Sequence, residues 1–295
     1  MIRFALVTVT FAALFARQNA RAGAWPVEDG KGQAMYKTYF YAADRAYDPY
    51  YGWKSYAVER YRKIGGEIFA EYGVGDGFTL GTKQRFAYAR QDGLRHQTAF
   101  DATAHEEQTY FVRKTVFDPA SKNVIGAVQL DALLPGFRSG GDDEARTFGP
   151  KTYGWTLKGI YGKKLPTKRF RRCAACGDIA IDRFYNAEFG VGERFFDEKF
   201  TINASRFRYV AEFTEGFEVH PYFLWSQTFF DFTAGGATGK EEKPLDGDYD
   251  LITQRFTLGR HVSESLSLAV GAAFPLGGRD VLKGEEVNLM LWRRF

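Results

Sequence analysis

Glu286-Val287-Asn288-Leu289-Met290-Leu291-Trp292-Arg293-Arg294-Phe295 closes the chain and decides the fold. Successive side chains of a strand point to opposite faces, so Val287, Leu289, Leu291 and Phe295 share one face. Glu286, Asn288 and Arg294 share the other. The alternation is loose, but it runs to the last residue. Termini of soluble domains usually fray, so a strand held at full amplitude up to a final aromatic is unusual. An apolar face against a polar one suits a sheet with hydrocarbon on one side and a polar lumen on the other.

This ending resembles the C-terminal strand of bacterial outer-membrane β-barrels, which ends in Phe and is read by the assembly machinery. The resemblance implies an all-β fold, a transmembrane antiparallel up-and-down β-barrel. It also implies contact with outer-membrane lipid, and recognition by the barrel assembly machinery through Leu291 and Phe295. The front of the chain agrees. Met1-Ile2-Arg3 is followed by a largely apolar run, Phe4 to Phe15, and by the small-x-small site Ala22-Gly23-Ala24 before Trp25. That is the tripartite pattern of a secretory signal peptide. Residues 1–24 are therefore expected to be a signal peptide, and residues 25–295 a single barrel domain in the bacterial outer membrane.

Composition narrows the class from another side. Aromatics make up 17% of the chain, and it holds 32 Gly. No later stretch approaches the eighteen or so uncharged apolar residues of a membrane-spanning helix. Large soluble α/β proteins show helical periodicity, which is weak here. A soluble β-sandwich is the competing class on composition alone. The net charge of +4 comes without a dense basic cluster, and no nucleic-acid partner is expected.

About 12 segments have the length of a tilted membrane-spanning strand, roughly 9–11 residues. They lie near 33–42, 57–72, 78–90, 107–117, 123–133, 151–161, 178–189, 197–209, 216–230, 250–259, 264–275 and 286–295. The clearest alternation is Ser265 to Phe274, where Leu266, Leu268, Val270, Ala272 and Phe274 face one way. The second, fourth and ninth segments are ambiguous in phase, and Lys114 and Arg183 fall on faces that should meet lipid. With both termini inside, the inner turns are Gly73–Gly77, Asp118–Asn123, Gly162–Gly177, Glu212–Gly216 and Arg260–Ser263. The outer loops are 43–56, 91–106, 134–150, 190–196, 231–249 and 276–285. Ser139 to Glu144 and Gly235 to Pro244 read as loop. Gly162–Gly177 is long for an inner turn, and a fourteen-stranded barrel would split it. Ala70 to Gly81 has the form of a strand–turn–strand hairpin common in outer-membrane channel proteins, and Glu188 to Glu193 echoes it.

Motifs for chemistry are few. Cys173-Ala174-Ala175-Cys176 could be a redox centre, half a metal site or a local disulfide. No second CxxC exists and no His lies nearby, so a small disulfide clip in a basic inner turn is expected, with no metal and no cofactor. His96 and His105 lie near Asp92 and Asp101, a pairing formally compatible with a rim protease. His220 and Ser226 are too far apart along one strand to pair. No catalytic residue is assigned.

Charged residues in lumen phase are the remaining functional material. They are Lys83, Arg85, Arg113, Lys158, Arg255 and Arg294, with Glu71, Asp131, Asp178, Asp182, Glu188 and Glu286. Rings of charge set ion selectivity in pores, whereas charges paired across a small barrel would plug it. Both outcomes are open, and both signs are represented. A channel or transport-associated barrel for small polar solutes is expected. The alternatives are an outer-membrane hydrolase at the rim or lipid face, and a structural barrel anchoring envelope or surface polysaccharide.

Overall fold

The computed structural model describes residues 27–48, 54–92, 100–117, 124–134, 136, 138–139, 152–173, 177–198, 201–221, 228–241, 249–279 and 281–295. Twelve long strands run in chain order: β1 (Gly32–Tyr47), β2 (Ser55–Gly75), β3 (Phe78–Gln91), β4 (Phe100–Phe117), β5 (Val124–Leu134), β7 (Thr152–Cys173), β8 (Gly177–Glu198), β9 (Thr201–Pro221), β10 (Thr228–Glu241), β11 (Tyr249–His261), β12 (Leu266–Arg279) and β13 (Leu282–Arg294). A two-residue strand, β6 (Arg138–Ser139), pairs with β4 above the end of β5. The fold is all-β, with every pairing between strands antiparallel. Each long strand pairs on both edges, and the series returns on itself where β13 meets β1.

That seam runs to the last residue. The Gly32 N–H donates to the Phe295 carbonyl at 2.7 Å, and the Phe295 N–H donates to the Gly32 carbonyl at 2.9 Å. The Phe295 ring covers the Cα of Gly32, where any Cβ would strike it, and stacks on Tyr72 at 6.4 Å. Leu291 pairs with Tyr36 across the seam and with Leu268 on its other side. A sheet that closes has no open edge to protect.

The two faces differ in the way a membrane barrel requires. Phe40, Ile64, Ile68, Leu80, Tyr88, Val112, Leu130, Leu157, Leu258, Val270, Val287 and Leu289 all point outward and are exposed. The inward face carries Gln33, Glu67, Glu71, Thr79, Thr109, Arg113, Gln129, Asp131, Ser267 and Arg294, all buried. In a soluble protein this would be inside out. Lys114 is an outward exception with a local cause. It sits at the end of β4, its ammonium lies 4.1 Å from the centre of the Phe78 ring, and it donates to the Asp76 carbonyl. A long cationic side chain at the end of a span can carry its charge out to the polar boundary in this way.

The β2–β3 turn is Asp76-Gly77, both with positive φ (52° and 72°). Its form is that of a two-residue primed hairpin, for which Asp-Gly is a preferred sequence.

Several segments read as turns or loops are strand. Gly162–Gly177 does not split into further strands: β7 and β8 run through it. β7 outruns β5, whose pairing ends at Val124 opposite Lys163. Arg183 lies on this overhang, opposite Leu165. Residues 190–196 belong to β8, Glu212–Gly216 to β9 and Gly235–Gly236 to β10. Asp101 and His105 belong to β4 rather than to a loop, and Ser139 belongs to β6. For β8 and β9 the physical reason is shared. Gly190 and Gly192 are buried on the inward face, and Glu212, Thr214 and Gly216 take register positions on the face of Glu188. Polar and glycine residues there line an interior instead of breaking a strand. Cys173 ends β7 opposite Gly177; Cys176, the segment 1–26, His96 and Ser226 lie outside the described residues.

Candidate functional site

The densest polar group on the inward wall is built around Tyr39. In the register of the sheet Tyr39 stands beside Gly65 of β2, and Gly65 stands beside Ala87 of β3. These small neighbours let the phenol lie along the wall, where it is only 2% exposed. A Cβ on Gly65 would come within 2.6 Å of the ring. The ring is surrounded by Lys37, Lys63 and Arg85, at 5.3, 5.5 and 5.6 Å from its centre. Each cation has a carboxylate. Lys37 pairs with Glu286 at 3.0 Å, Lys63 with Glu106 at 2.6 Å and Arg85 with Glu67 at 3.2 Å. The Tyr39 hydroxyl donates to the other oxygen of Glu106 at 2.8 Å, and Asn288 donates to Glu286 at 3.0 Å. Arg255, from β11, acts on Glu286 across β12. The group is nearly neutral and partly wet.

A second arc lies nearer the end that carries the termini. Glu71 of β2 accepts from Gln33 of β1 and, at 2.6 Å, from Arg113 of β4. The guanidinium reaches across β3, where Arg113 is in register with Thr79. Phe111 lies over Gly81, stacked on Phe69 at 5.9 Å, and Arg113 lies 5.7 Å from the centre of the Phe111 ring. Arg113 is paired in register with Gln129 of β5. Gln129 donates to Asp131 at 2.7 Å, and Asp131 holds Lys158 of β7 at 2.9 Å. Glu188 of β8 stands 3.9 Å from the same ammonium. Charge therefore alternates in sign along the wall from β2 to β8. The side chains of Glu71 and Arg113 are 0% and 4% exposed, so this pair is a buried ion pair that neither member can leave cheaply.

The residues read in lumen phase take these places. Arg85, Arg113, Lys158, Asp131, Glu188, Glu71 and Glu286 belong to the two groups above. Lys83 is on the same face, between Phe69 and Thr109 in register. Arg294 is buried next to Gln33. Asp182 takes a register position on that face, opposite Glu218. Sequence reasoning missed Gln33, Lys37, Tyr39, Lys63, Glu67 and Glu106. What marks Tyr39 is the pair of small residues beside it, Gly65 and Ala87, which only the register brings into line. Glu106 was hidden because its segment reads as loop.

One His–Ser contact also escaped. His261 Nδ1 lies 2.8 Å from Ser267 Oγ, across the turn between β11 and β12. Ser267 is 4% exposed, so the pair ties the hairpin and leaves no room for a substrate at the hydroxyl. His105 stacks on the outward Phe86 ring at 4.2 Å and meets Gln108, away from the bore. Among the described residues no cluster of His, Cys, Asp and Glu could hold a metal ion.

No protein-family model matches the chain, and no curated protein matches it. Solved structures do. The COG4313 outer membrane channel from Pseudomonas putida F1 superposes with a TM-score of 0.59 at 13% identity, covering 94% of this chain and 100% of that one. The beta domain of the Bordetella autotransporter BrkA superposes with a TM-score of 0.50 at 8% identity, covering 90% and 99%. The chain has the fold of the bacterial outer-membrane β-barrels.

Proposed function

We propose that the protein is an outer-membrane channel that passes small polar solutes. The observation that carries this reading is the inward wall. It is lined over most of its height by charged and amide side chains of both signs, while the outward wall is apolar. A barrel that served only as an anchor would need the outer face and not this lining. The polar groups lie along the wall, each paired mostly with neighbours one to three strands away, which favours a bore with room at its centre. The apolar face meets outer-membrane lipid. Residues 1–24 direct export, and the assembly machinery reads the strand ending in Leu291 and Phe295.

Planar-bilayer recording of the purified barrel is the direct test. Discrete, reproducible conductance steps are expected; a tight, silent barrel would sink the channel reading. Deleting Phe295 tests the assembly role separately. It removes the last two backbone bonds of the seam and the stack on Tyr72, so the yield of heat-modifiable barrel should fall. An unchanged yield would contradict it.

A further inference from the structure

Glu106 is the residue β4 has in excess. Arg85 pairs with Glu107 and Phe86 pairs with His105, so Glu106 is the extra residue of a β-bulge. Bulges re-aim side chains and switch the phase of a strand. Below this one Thr109, Phe111 and Arg113 are buried on the inward face; above it Ala102 is, so the parity has changed. The released carboxylate reaches past β3. It accepts from Tyr39 of β1 at 2.8 Å and from Lys63 of β2 at 2.6 Å. Glu67 and Glu286 form their ion pairs with a cation on an adjacent strand, whereas the ion pair of Glu106 crosses β3.

We infer that Glu106 is the residue that sets the charge preference of the bore, by clamping Tyr39 and Lys63 together and cancelling one of three clustered cations. Lys37 and Arg85 have carboxylates of their own from adjacent strands. Lys63 has Glu106. With Glu106 in place Lys37, Lys63 and Arg85 are matched by three carboxylates, and Arg255 beside Glu286 leaves the group an excess of one positive charge. Without its charge, Lys63 and the Tyr39 hydroxyl face the bore together, beside Lys37 and Arg85. Such a site attracts anions, small carboxylates among them.

The inference rests on the channel reading, and one experiment separates the two. Full-length wild type, Glu106→Gln, Glu106→Asp and Lys63→Met are recorded in planar bilayers under a potassium chloride gradient, and the reversal potential is read. Glu106→Gln should shift the chloride-to-potassium permeability ratio toward chloride by at least about threefold, the effect of one unit charge at roughly 6 Å in water. Glu106→Asp keeps the charge and should keep the reversal potential. Lys63→Met should shift the ratio toward potassium, and it preserves the test if Glu106→Gln does not assemble. Conducting channels whose reversal potential does not move in Glu106→Gln or Lys63→Met overturn the inference and leave the channel reading standing. A silent wild type with a conducting Glu106→Gln overturns both readings, because the native barrel then passes no ions. Silence in every variant overturns both readings.

Discussion

The two polar groups on the inward wall use the same residue types under different burial. Around Tyr39 the paired side chains keep between 11% and 29% of their exposure; in the Glu71–Arg113 pair it is 0% and 4%. Desolvation decides what each can do. A wet ion pair contributes little to stability, about 0–1 kcal/mol, and stays available to passing ions. A dry one is costly to form and costlier to break. The Glu71–Arg113 pair therefore acts as wall, while the Tyr39 group and the Lys158–Glu188 contact at the far end of the arc, where both side chains are partly exposed, act as lining.

Three substitutions break or sharpen that contrast. The largest effect is expected from Arg113→Met. It strands the carboxylate of Glu71 in a dry wall and should cost about 3–5 kcal/mol, read as a lowered urea midpoint for unfolding of the reconstituted barrel. Adding Glu71→Gln should return part of that loss, because the buried charge is then gone; no recovery would mean that packing, not charge, holds this arc. Gly81→Val comes next. Its side chain would strike the Phe111 ring, and overpacking of this kind costs roughly 1–3 kcal/mol. The urea midpoint should fall, and Phe111→Ala should relieve the clash. The smallest stability effect belongs to Lys37→Met. Its pair with Glu286 is partly exposed, so the loss should stay within about 1 kcal/mol, while the reversal potential moves toward potassium. A stability loss as large as that of Arg113→Met would erase the distinction between wall and lining.

Much of this barrel was legible in the sequence. The strand from Leu266 to Phe274 shows clean period-two alternation, because its outward residues are apolar and its inward ones small, and the terminal strand alternates more loosely because Met290 and Trp292 share its inward face with Glu286, Asn288 and Arg294. The Asp76-Gly77 turn carries its own chemistry. The middle of the chain misleads for a physical reason. Glycine and acidic residues mark turns when water surrounds a strand, but a membrane barrel also puts them on its inner face. Gly75 and Gly77 sit at a true turn with positive φ; Gly190 and Gly192 sit buried within β8. Composition does not separate these cases, and only the register does. The phase ambiguity of the fourth segment, 107–117, has a counterpart in the irregular pairing with β5 between Thr115 and Phe117, and the bulge at Glu106 changes the parity of β4 just before the segment begins. For the site, alternation alone put Arg113, Lys158 and Asp131 on one face. It could not show that Glu106 reaches Tyr39, because that contact depends on strands far apart in sequence lying side by side.

The central claim is that one closed sheet separates a polar interior from an apolar exterior, and alternate accessibility tests it most directly. Single cysteines are placed on a Cys173→Ser, Cys176→Ser background at inward Lys37, Lys63 and Arg255 and at outward Phe40, Ile64 and Leu258. Barrels in lipid vesicles are then treated with a charged, membrane-impermeant maleimide. The three inward positions should label and the three outward ones should stay protected until detergent replaces the bilayer with an accessible shell. Equal labelling of both sets, or protection of Lys37→Cys and Lys63→Cys with labelling of Phe40→Cys and Ile64→Cys, would contradict the account.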